Sequence, residues 1–336
     1  MKKFVLPAAA ACLSAAIFAL SGCAPQKSPS GVSLMGVQPA DVGLVSGCDY
    51  FVAAEPAATT RVNAAGLHFA GDIQQLYGSE NGYPQAVVVA KNSLIVNNPH
   101  FLKSFLAEVE ENEEWLKTAS AETVISAVSS HLPEGTTPTF NAKNLTSEVI
   151  SRCGIHLVYA ADDRERVENF LKEMSDVDEQ SVGKVKDEFF CEELGDIVNP
   201  PADISVYAPD GAPALALAKL MHEENTFGQT SVSYNVVPSS NIQAYVTGED
   251  PAADICILPL NAASKLLGDG STYQMLGTVT NGNLYILSKD GASVTSENIR
   301  EELNGKTIGV IQLNNVPGLT LKIILEKYDI DYEVIG

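Results

Sequence analysis

The sequence is poor in basic residues and in tryptophan, and it lacks the short motifs that mark many catalytic sites. Its 336 residues include 21 Lys and Arg against 42 Asp and Glu, with a single Trp and a formal net charge of −21. So acidic a chain repels nucleic acid and anionic lipid surfaces, and we expect it to bind neither. The charge also favours solubility.

Motifs for metal, nucleotide and covalent chemistry are also missing. The five histidines are scattered and form no His-Glu-x-x-His, so a catalytic zinc is not expected. No glycine-rich phosphate loop opens a helix, and the segment Gly43–Gly47 places its serine one position too late for a nucleophile elbow. We therefore expect no catalytic residues, no metal and no cofactor, and we expect a protein that is not an enzyme.

Cysteine is scarce outside the N-terminal region, and no two cysteines form a Cys-x-x-Cys motif. Cys12 lies in an N-terminal apolar run and Cys23 follows it. Buried thiols are the simpler expectation for the others, with one or two disulfides as the open alternative. These cysteines are Cys48, Cys153, Cys191 and Cys256.

The N-terminal region has the layout of a secretory leader, with two lysines, an apolar run from Phe4 to Leu20, and then Ser21-Gly22-Cys23. Leu20–Cys23 resembles the bacterial lipobox, in which the leader is cut before a cysteine whose thiol is acylated with diacylglycerol. The resemblance implies a signal peptide over 1–22, lipidation at Cys23 and a tether over 23–30. The protein would then be anchored outside the cytoplasmic membrane. The alternative is a retained membrane-spanning helix, but the run is slightly short and no basic flank follows it.

Beyond the tether, short apolar runs alternate with segments of helical periodicity. Gln85–Ala90 and Asp254–Leu260 are typical of buried strands, and His100–Lys117 has its apolar residues at helical spacing. This alternation predicts parallel α/β sheets covered by helices on both faces. Further helices are predicted over Pro39–Ser46, Ser181–Phe190, Pro213–Glu224 and Ser240–Thr247.

In such sheets, ligands bind beyond the carboxyl ends of the strands, where loops lead into helices. Each candidate residue there has a plain alternative as a turn or helix-cap residue. Glu55 precedes a proline at a strand end, where its carboxylate must be solvated, paired with Arg61, or turned toward a ligand. Tyr77 and Tyr83 are placed to stack on a ligand or to pack in a hinge. The predicted ligand contacts are Glu55, Thr59, Asp210, Gly211, Ala212, Asn261, Asn314 and Asn315.

Three segments resemble the two-lobed solute-binding proteins of ABC importers. They are Asp254–Ala263, Leu303–Val310 and Asp49–Pro56. The most similar subgroup binds sulfonates, taurine, nitrate or thiamine precursors. The resemblance implies the type II periplasmic-binding-protein fold, in which two Rossmann-like lobes are joined by a hinge and enclose the ligand.

The order of the segments departs from that family. There, a strand like Asp203–Ala208 opens the mature chain and helices like Arg164–Phe190 close it. The resemblance therefore implies a circularly permuted order, with a scrambled or truncated gene product as the alternative. Lobe one would span 83–288, and lobe two would combine 31–74 with 292–336.

A permuted order makes a structural prediction, which is that the Gly336 end lies beside Gly31 within lobe two. Permutation is tolerated where the new ends are exposed and the joined ends are close.

The resemblance implies a lipid-anchored, monomeric substrate-binding protein that captures a small polar solute and delivers it to a permease and its ATPase. Its only link to the membrane would be the lipid. Two alternatives stay open, an enzyme on the same fold like the thiamine-pyrimidine synthases and a sensory surface lipoprotein without a permease. Few basic residues lie in the candidate loops, so Asp210 and Glu55 also allow a cationic or amine-bearing ligand, such as a pyrimidine.

Overall fold

The computed structural model describes residues 31–79, 82–197, 202–224, 227–228 and 230–336. The predicted signal peptide, the lipidation site Cys23 and the tether lie outside these residues. Within them, no helix combines the length and the apolar character needed to cross a bilayer.

The described residues form a mixed α/β protein with two six-stranded sheets. Most of the predicted elements are present within a residue or two of their expected bounds. The strands are β1 Val32–Val37, β2 Tyr50–Ala54, β3 His68–Asp72, β4 Ala86–Lys91, β5 Ile155–Tyr159, β6 Asp203–Pro209, β7 Ser231–Val237, β8 Ile255–Pro259, β9 Tyr273–Thr280, β10 Leu284–Ser288, β11 Thr307–Ile311 and β12 Tyr332–Ile335. The helices are α1 Ala57–Ala65, α2 Ile73–Tyr77, α3 Asn92–Asn97, α4 Pro99–Thr118, α5 Ala121–Ser129, α6 Ser147–Arg152, α7 Ala160–Val177, α8 Ala212–Leu215, α9 Ala218–Glu223, α10 Leu260–Leu267, α11 Ile299–Leu303 and α12 Val316–Lys327.

Both sheets are mixed, so the prediction of parallel sheets is wrong. The first sheet has the order β12-β1-β11-β2-β10-β3, in which only β10 runs antiparallel to its neighbours. The second has the order β5-β9-β4-β8-β6-β7, in which β4 is antiparallel to both neighbours and β5 to β9. Strands β4 and β10 are antiparallel to their neighbours because the chain enters each of them directly from the other sheet.

Five strands of each sheet are arranged in the same way. In β1-β11-β2-β10-β3 and in β7-β6-β8-β4-β9, the fourth strand is antiparallel and the other four share one direction. The chain passes from β3 in the first sheet to β4 in the second, and from β9 in the second to β10 in the first. Two crossing segments therefore connect the halves of the molecule.

Burial explains why the apolar runs become central strands. Val87, Val88 and Val89 of β4 are each at most 1% exposed, and successive side chains point to opposite faces of the sheet. Val87 and Val89 join the core that extends between the sheets, and Val88 joins the core beneath α4 and α5. Full burial of each such side chain stabilises the folded state by about 1.5–3 kcal/mol. This burial determines both the strand and its register.

Aromatic side chains fill the space between the two crossings. The ring of Tyr83 stacks on that of Phe170 at 5.1 Å, and Tyr77 meets both rings edge to face. The Tyr83 hydroxyl donates to Gln74 Oε1 (3.0 Å) and that of Tyr77 to Glu173 Oε2 (2.7 Å). Tyr77 and Tyr83 thus pack against Phe170 and each other, as in the packing alternative of the two predicted roles.

Some predicted helices are absent or broken. Pro39–Ser46 forms only a short 3-10 turn, Ser240–Thr247 is a 3-10 helix, and Pro213–Glu224 divides into α8 and α9. Ser181–Phe190 is largely irregular because it lies against α10, where the Gly183 amide donates to Ser264 Oγ (3.1 Å). Tertiary hydrogen bonds of this kind have no local sequence signal.

Two boundary predictions change as well. Strand β10, which was placed in lobe one, pairs with β2 and β3 and so belongs with the first sheet. Strand β1 was not predicted, and it lies between β11 and β12. Because β1 and β12 are parallel, Gly31 lies beside Asp331 and not beside Gly336, although both termini of the described chain belong to this sheet.

Candidate functional site

The two sheets face each other with equivalent ends of their strands, which we call the facing edges. Polar residues line both of these edges. At these facing edges the parallel strands end and the antiparallel strands begin. In the second sheet, Asp210 follows β6, Asn261 lies just beyond β8, and Gln85 precedes β4. The Leu260 amide donates to Gln85 O (3.0 Å), and the Gln85 amide donates to Thr280 O (2.9 Å). These residues therefore lie on adjacent strands, about 4.8 Å apart from one strand to the next.

The edge of the first sheet has a matching set. Glu55 follows β2, Asn283 precedes β10, and Gln312–Asn315 follow β11. The Glu55 amide donates to Asn283 O (2.9 Å), and Asn283 Nδ2 donates to Glu55 O (3.2 Å). Asn283 is also only three residues beyond Thr280, so the crossing segment brings the two edges together at this point.

Asn261, Asn314 and Asn315 meet across the edges, although they lie far apart in the sequence. Asn261 Nδ2 is 3.4 Å from Asn314 O and 3.3 Å from Asn315 Oδ1, and it also donates to Ser181 O (3.1 Å). A cavity of about 330 Å³ lies at this contact and is also lined by Gln243. The structure thus brings together three of the predicted site residues.

Glu55 and Thr59 are committed to an internal ion pair. The Glu55 side chain is 0% exposed, and its Oε1 accepts from Arg152 Nε (2.9 Å) and Thr59 Oγ1 (2.7 Å). Its Oε2 accepts from the Thr59 amide (3.0 Å). Both residues lie at the facing edge as expected, but their polar atoms bind each other and Arg152. The partner of Glu55 is Arg152, not Arg61.

Arg152 was not among the predicted site residues. It ends α6 in the second half of the molecule, and its guanidinium carbon lies 4.5 Å from the centroid of the Phe69 ring. A second ion pair joins it to Glu148 (2.8 Å). A lone arginine at the end of a six-residue helix has no local signal for such a role, because its partner Glu55 lies 97 residues away in the sequence.

Asp210 is the carboxylate of the second edge that lacks a cationic partner. Its Oδ2 accepts from the Thr139 amide (2.8 Å), while its Oδ1 is buried and accepts no hydrogen bond from the described residues. Burial raises the pKa of Asp210, although hydrogen bonds from Thr139 and Gly211 act in the opposite direction. Gly211, at φ +113°, lets the chain turn directly into α8, whose first residue is Ala212. Gly211 and Ala212 are buried and serve this turn.

Further buried acceptors at the edges are without donors. Asn261 and Asn283 are 3% and 2% exposed, and the Oδ1 of each accepts no hydrogen bond from the described residues. Their Nδ2 atoms donate to backbone carbonyls, which fixes Oδ1 as the unused atom. Gln85 Oε1 and Thr280 Oγ1 are likewise buried and have no hydrogen-bond partner among the described residues. Sequence reasoning missed Gln85 and Asn283, since both are defined by the crossing strands and not by a motif.

A larger cavity of about 670 Å³ is lined by residues of the crossings, such as Asn281 and Gly282, and by Arg152. Several of its charged groups are hydrogen-bonded to other residues of the lining or close to it. Asp163 Oδ2 accepts from Thr278 Oγ1 (2.5 Å) and from Arg166 (3.0 Å), and His156 Nδ1 lies 2.9 Å from Glu113 Oε2. Because these side chains already have partners, we regard this cavity as a weaker candidate for polar recognition than the facing edges.

Metal binding and thiol chemistry find little support in the described part of the chain. No group of three His, Cys, Asp or Glu residues there is arranged to hold a metal ion. Burial raises the pKa of the Cys153 and Cys256 thiols, which disfavours the reactive thiolate. Cys48 and Cys191 are buried free thiols as well.

Comparison of the chain with protein-family models, with curated proteins and with solved structures finds no match.

Proposed function

We propose that this protein is a lipid-anchored solute-binding subunit of an ABC importer, which holds a small polar solute between its two halves. The observation that carries the proposal is the pair of equivalent sheets whose polar edges face each other across two crossing segments. Clefts between domains linked by crossing segments are preferred sites for small molecules, and closure about the crossings buries the ligand.

The arrangement supports the type II periplasmic-binding-protein fold in a cyclically shifted order. Taken from β6, the chain builds the second sheet through β9, crosses to β10, and continues through β11 and β12. Passing on to β1, it completes the first sheet through β3 and crosses back to β4. Helices α4 to α7 then close the cycle. A cyclic shift accounts for the early position of the segment that resembles the family's second lobe.

The side chains at the facing edges suit binding better than chemistry. They are mainly amides and carboxylates, and the carboxylate of Glu55 is already paired with Arg152. The buried thiols are poor nucleophiles because burial raises their pKa. We therefore assign these residues to hydrogen bonding and shape recognition of the solute. The protein would then deliver the solute to a permease and its ATPase.

A binding assay tests the proposal directly. Protein with Cys23→Ser, which prevents lipidation, is purified and examined by native mass spectrometry for a co-purifying solute. Its melting temperature is then measured with sulfonates, nitrate, pyrimidines and amines. A ligand at about 100 times its Kd stabilises the folded state by about 2.7 kcal/mol, so a true ligand raises the melting temperature. If no solute co-purifies and no compound stabilises the protein, the proposal fails.

The lipid anchor has its own test. In a bacterial host, the mature protein should begin at Cys23 and carry the mass of diacylglycerol on that residue. Cys23→Ser should abolish both the added mass and membrane association. An unprocessed chain that starts at Met1 and fractionates with the membrane would instead indicate a retained helix.

A further inference from the structure

We propose that the solute is a cation with several N–H donors, which bind two or more neighbouring acceptor oxygens among those of Asp210, Asn261, Gln85 and Asn283. This inference rests on the proposed function and names the class of ligand for the same site. It excludes the acceptor-only anions, such as nitrate and simple sulfonates.

The first argument is the chemical type of the unused atoms. Among the described residues, seven buried side-chain atoms lack a hydrogen-bond partner, and five of them belong to residues at the facing edges. The five are oxygens, and four of them belong to amide or carboxylate groups and can only accept. Buried polar atoms are almost always hydrogen-bonded in native proteins, so these four call for N–H or O–H donors from a ligand.

The second argument is their arrangement along one continuous arc. Asp210 follows β6, which lies beside β8, and Asn261 lies just beyond β8. Gln85 directly precedes β4, the other neighbour of β8. Gln85 is hydrogen-bonded to Thr280, and the crossing then leads to Asn283 within three residues. Neighbouring strands are about 4.8 Å apart, so a solute of a few atoms' width can reach more than one acceptor.

The third argument is charge. The guanidinium of Arg152 is already paired with the carboxylates of Glu55 and Glu148, and among the described residues no ion pair joins Asp210 to a basic side chain. Asp210 accepts hydrogen bonds from Thr139 and Gly211, which are neutral donors, and its burial raises the pKa of its carboxyl. A cation supplies the missing charge, whereas an anion would meet uncompensated acceptors.

The same acceptors link ligand capture to closure. When the edges meet without a ligand, these oxygens lose water and gain no donor, which disfavours the closed arrangement. A donor-rich cation removes that penalty, so the closed form becomes favoured only with the ligand present.

The test uses the full mature chain with Cys23→Ser and two sets of probes. Agmatine and guanidine are cations that provide several N–H donors, and methanesulfonate and nitrate provide only acceptors. We expect at least one donor probe to raise the melting temperature by several degrees and to bind by calorimetry, with no shift for either anion. Stabilisation by the anions alone would leave the binding function intact and overturn this inference. A co-purifying solute without N–H donors would do the same.

Two isosteric variants with opposite expected effects make the assignment specific. Asp210→Asn should weaken binding of the donor probe at least tenfold, and Gln85→Glu, which adds a carboxylate, should strengthen it. Asp250→Asn removes the same charge from an exposed loop at the opposite end of β8 and should leave affinity unchanged. Far-ultraviolet circular dichroism without ligand checks that each variant is folded. Equal affinity of Asp210→Asn and the parent protein would overturn the inference.

Discussion

At the scale of single residues, the ion pair of Glu55 and Arg152 links the two halves of the molecule. The Glu55 carboxylate is fully buried and accepts its hydrogen bonds from the Arg152 guanidinium and from Thr59, while the Arg152 side chain is 25% exposed. Removing one partner of a buried pair leaves an uncompensated charge, which costs far more than the pair contributes in net terms.

Arg152→Met should therefore lower the free energy of unfolding by about 3 kcal/mol, measured by urea denaturation at pH 7. The double variant Glu55→Gln/Arg152→Met should recover part of that loss, because it removes both charges. Arg300→Met is the matched control, since Arg300 is 64% exposed and pairs with an exposed Asp329. Equal destabilisation by Arg152→Met and Arg300→Met would show that the buried pair has no special role.

At the scale of elements, the crossing from β9 to β10 leaves no room for side chains where it passes the start of β5. Gly154 has φ +63°, and a Cβ atom there would lie 2.3 Å from Gly282 O. Backbone atoms must shift to accept such a contact. At this close approach the Asn281 amide donates to Gly154 O (2.7 Å).

Gly154→Ala should lower the urea midpoint clearly, since overpacking typically costs about 1–3 kcal/mol beyond the strain of a positive φ. Gly135→Ala is the matched control, because Gly135 has φ +78° and no atom within 4 Å of its Cβ position. The two variants share the backbone strain and differ only in the contact. If both midpoints fall by the same amount, the crossing is looser than the structure indicates.

At the scale of the whole molecule, α7 of one half is joined to α12 of the other by a partly buried pair. Asp178 Oδ2 accepts from Lys322 Nζ at 3.0 Å, and the lysine side chain is only 6% exposed. Burial alone would raise the pKa of Asp178, but the hydrogen bond and charge of Lys322, with bonds from Ser181, outweigh it and lower the pKa.

A lowered folded-state pKa means that this pair stabilises the protein above the unfolded pKa of Asp, near pH 4, and that the stabilisation is lost as pH falls through the folded value. Asp178→Asn should lower the free energy of unfolding by about 2 kcal/mol at pH 7 and should lose less stability than the parent between pH 5 and pH 3. Urea midpoints at pH 7, 5 and 3 measure both effects. Asp250→Asn, an exposed change of the same charge, should follow the parent curve. Parallel curves for Asp178→Asn and the parent would contradict the assignment.

Most of the local structure could be predicted from periodicity alone. Central strands such as β4 and the long helix α4 were correct because their apolar residues recur at fixed intervals and are buried accordingly. The failures are segments whose conformation depends on distant partners. Ser181–Phe190 is largely not helical because it makes tertiary hydrogen bonds to α10. Strand β10 belongs to the first sheet because it pairs with β2 there.

The candidate site was predictable in position and not in detail. The rule that ligands bind beyond strand ends selected the loops containing Asp210, Asn261 and Asn314–Asn315, because it depends only on the order of elements, and the structure brings Asn261 into contact with Asn314 and Asn315. It could not reveal that Arg152 forms an ion pair with Glu55, nor that Gln85 and Asn283 also lie at the facing edges.

Local periodicity and composition thus determined the α/β class, the bounds of most elements, the acidic surface and the loops in which polar recognition is expected. These features depend on neighbours within a few residues, which the sequence contains in full. Only the tertiary structure decided the direction of β4 and β10, the pairing of Glu55 with Arg152 and the arc of unused acceptors. Each of these joins residues that are distant along the chain, where the free energy of packing, not local preference, selects the partner.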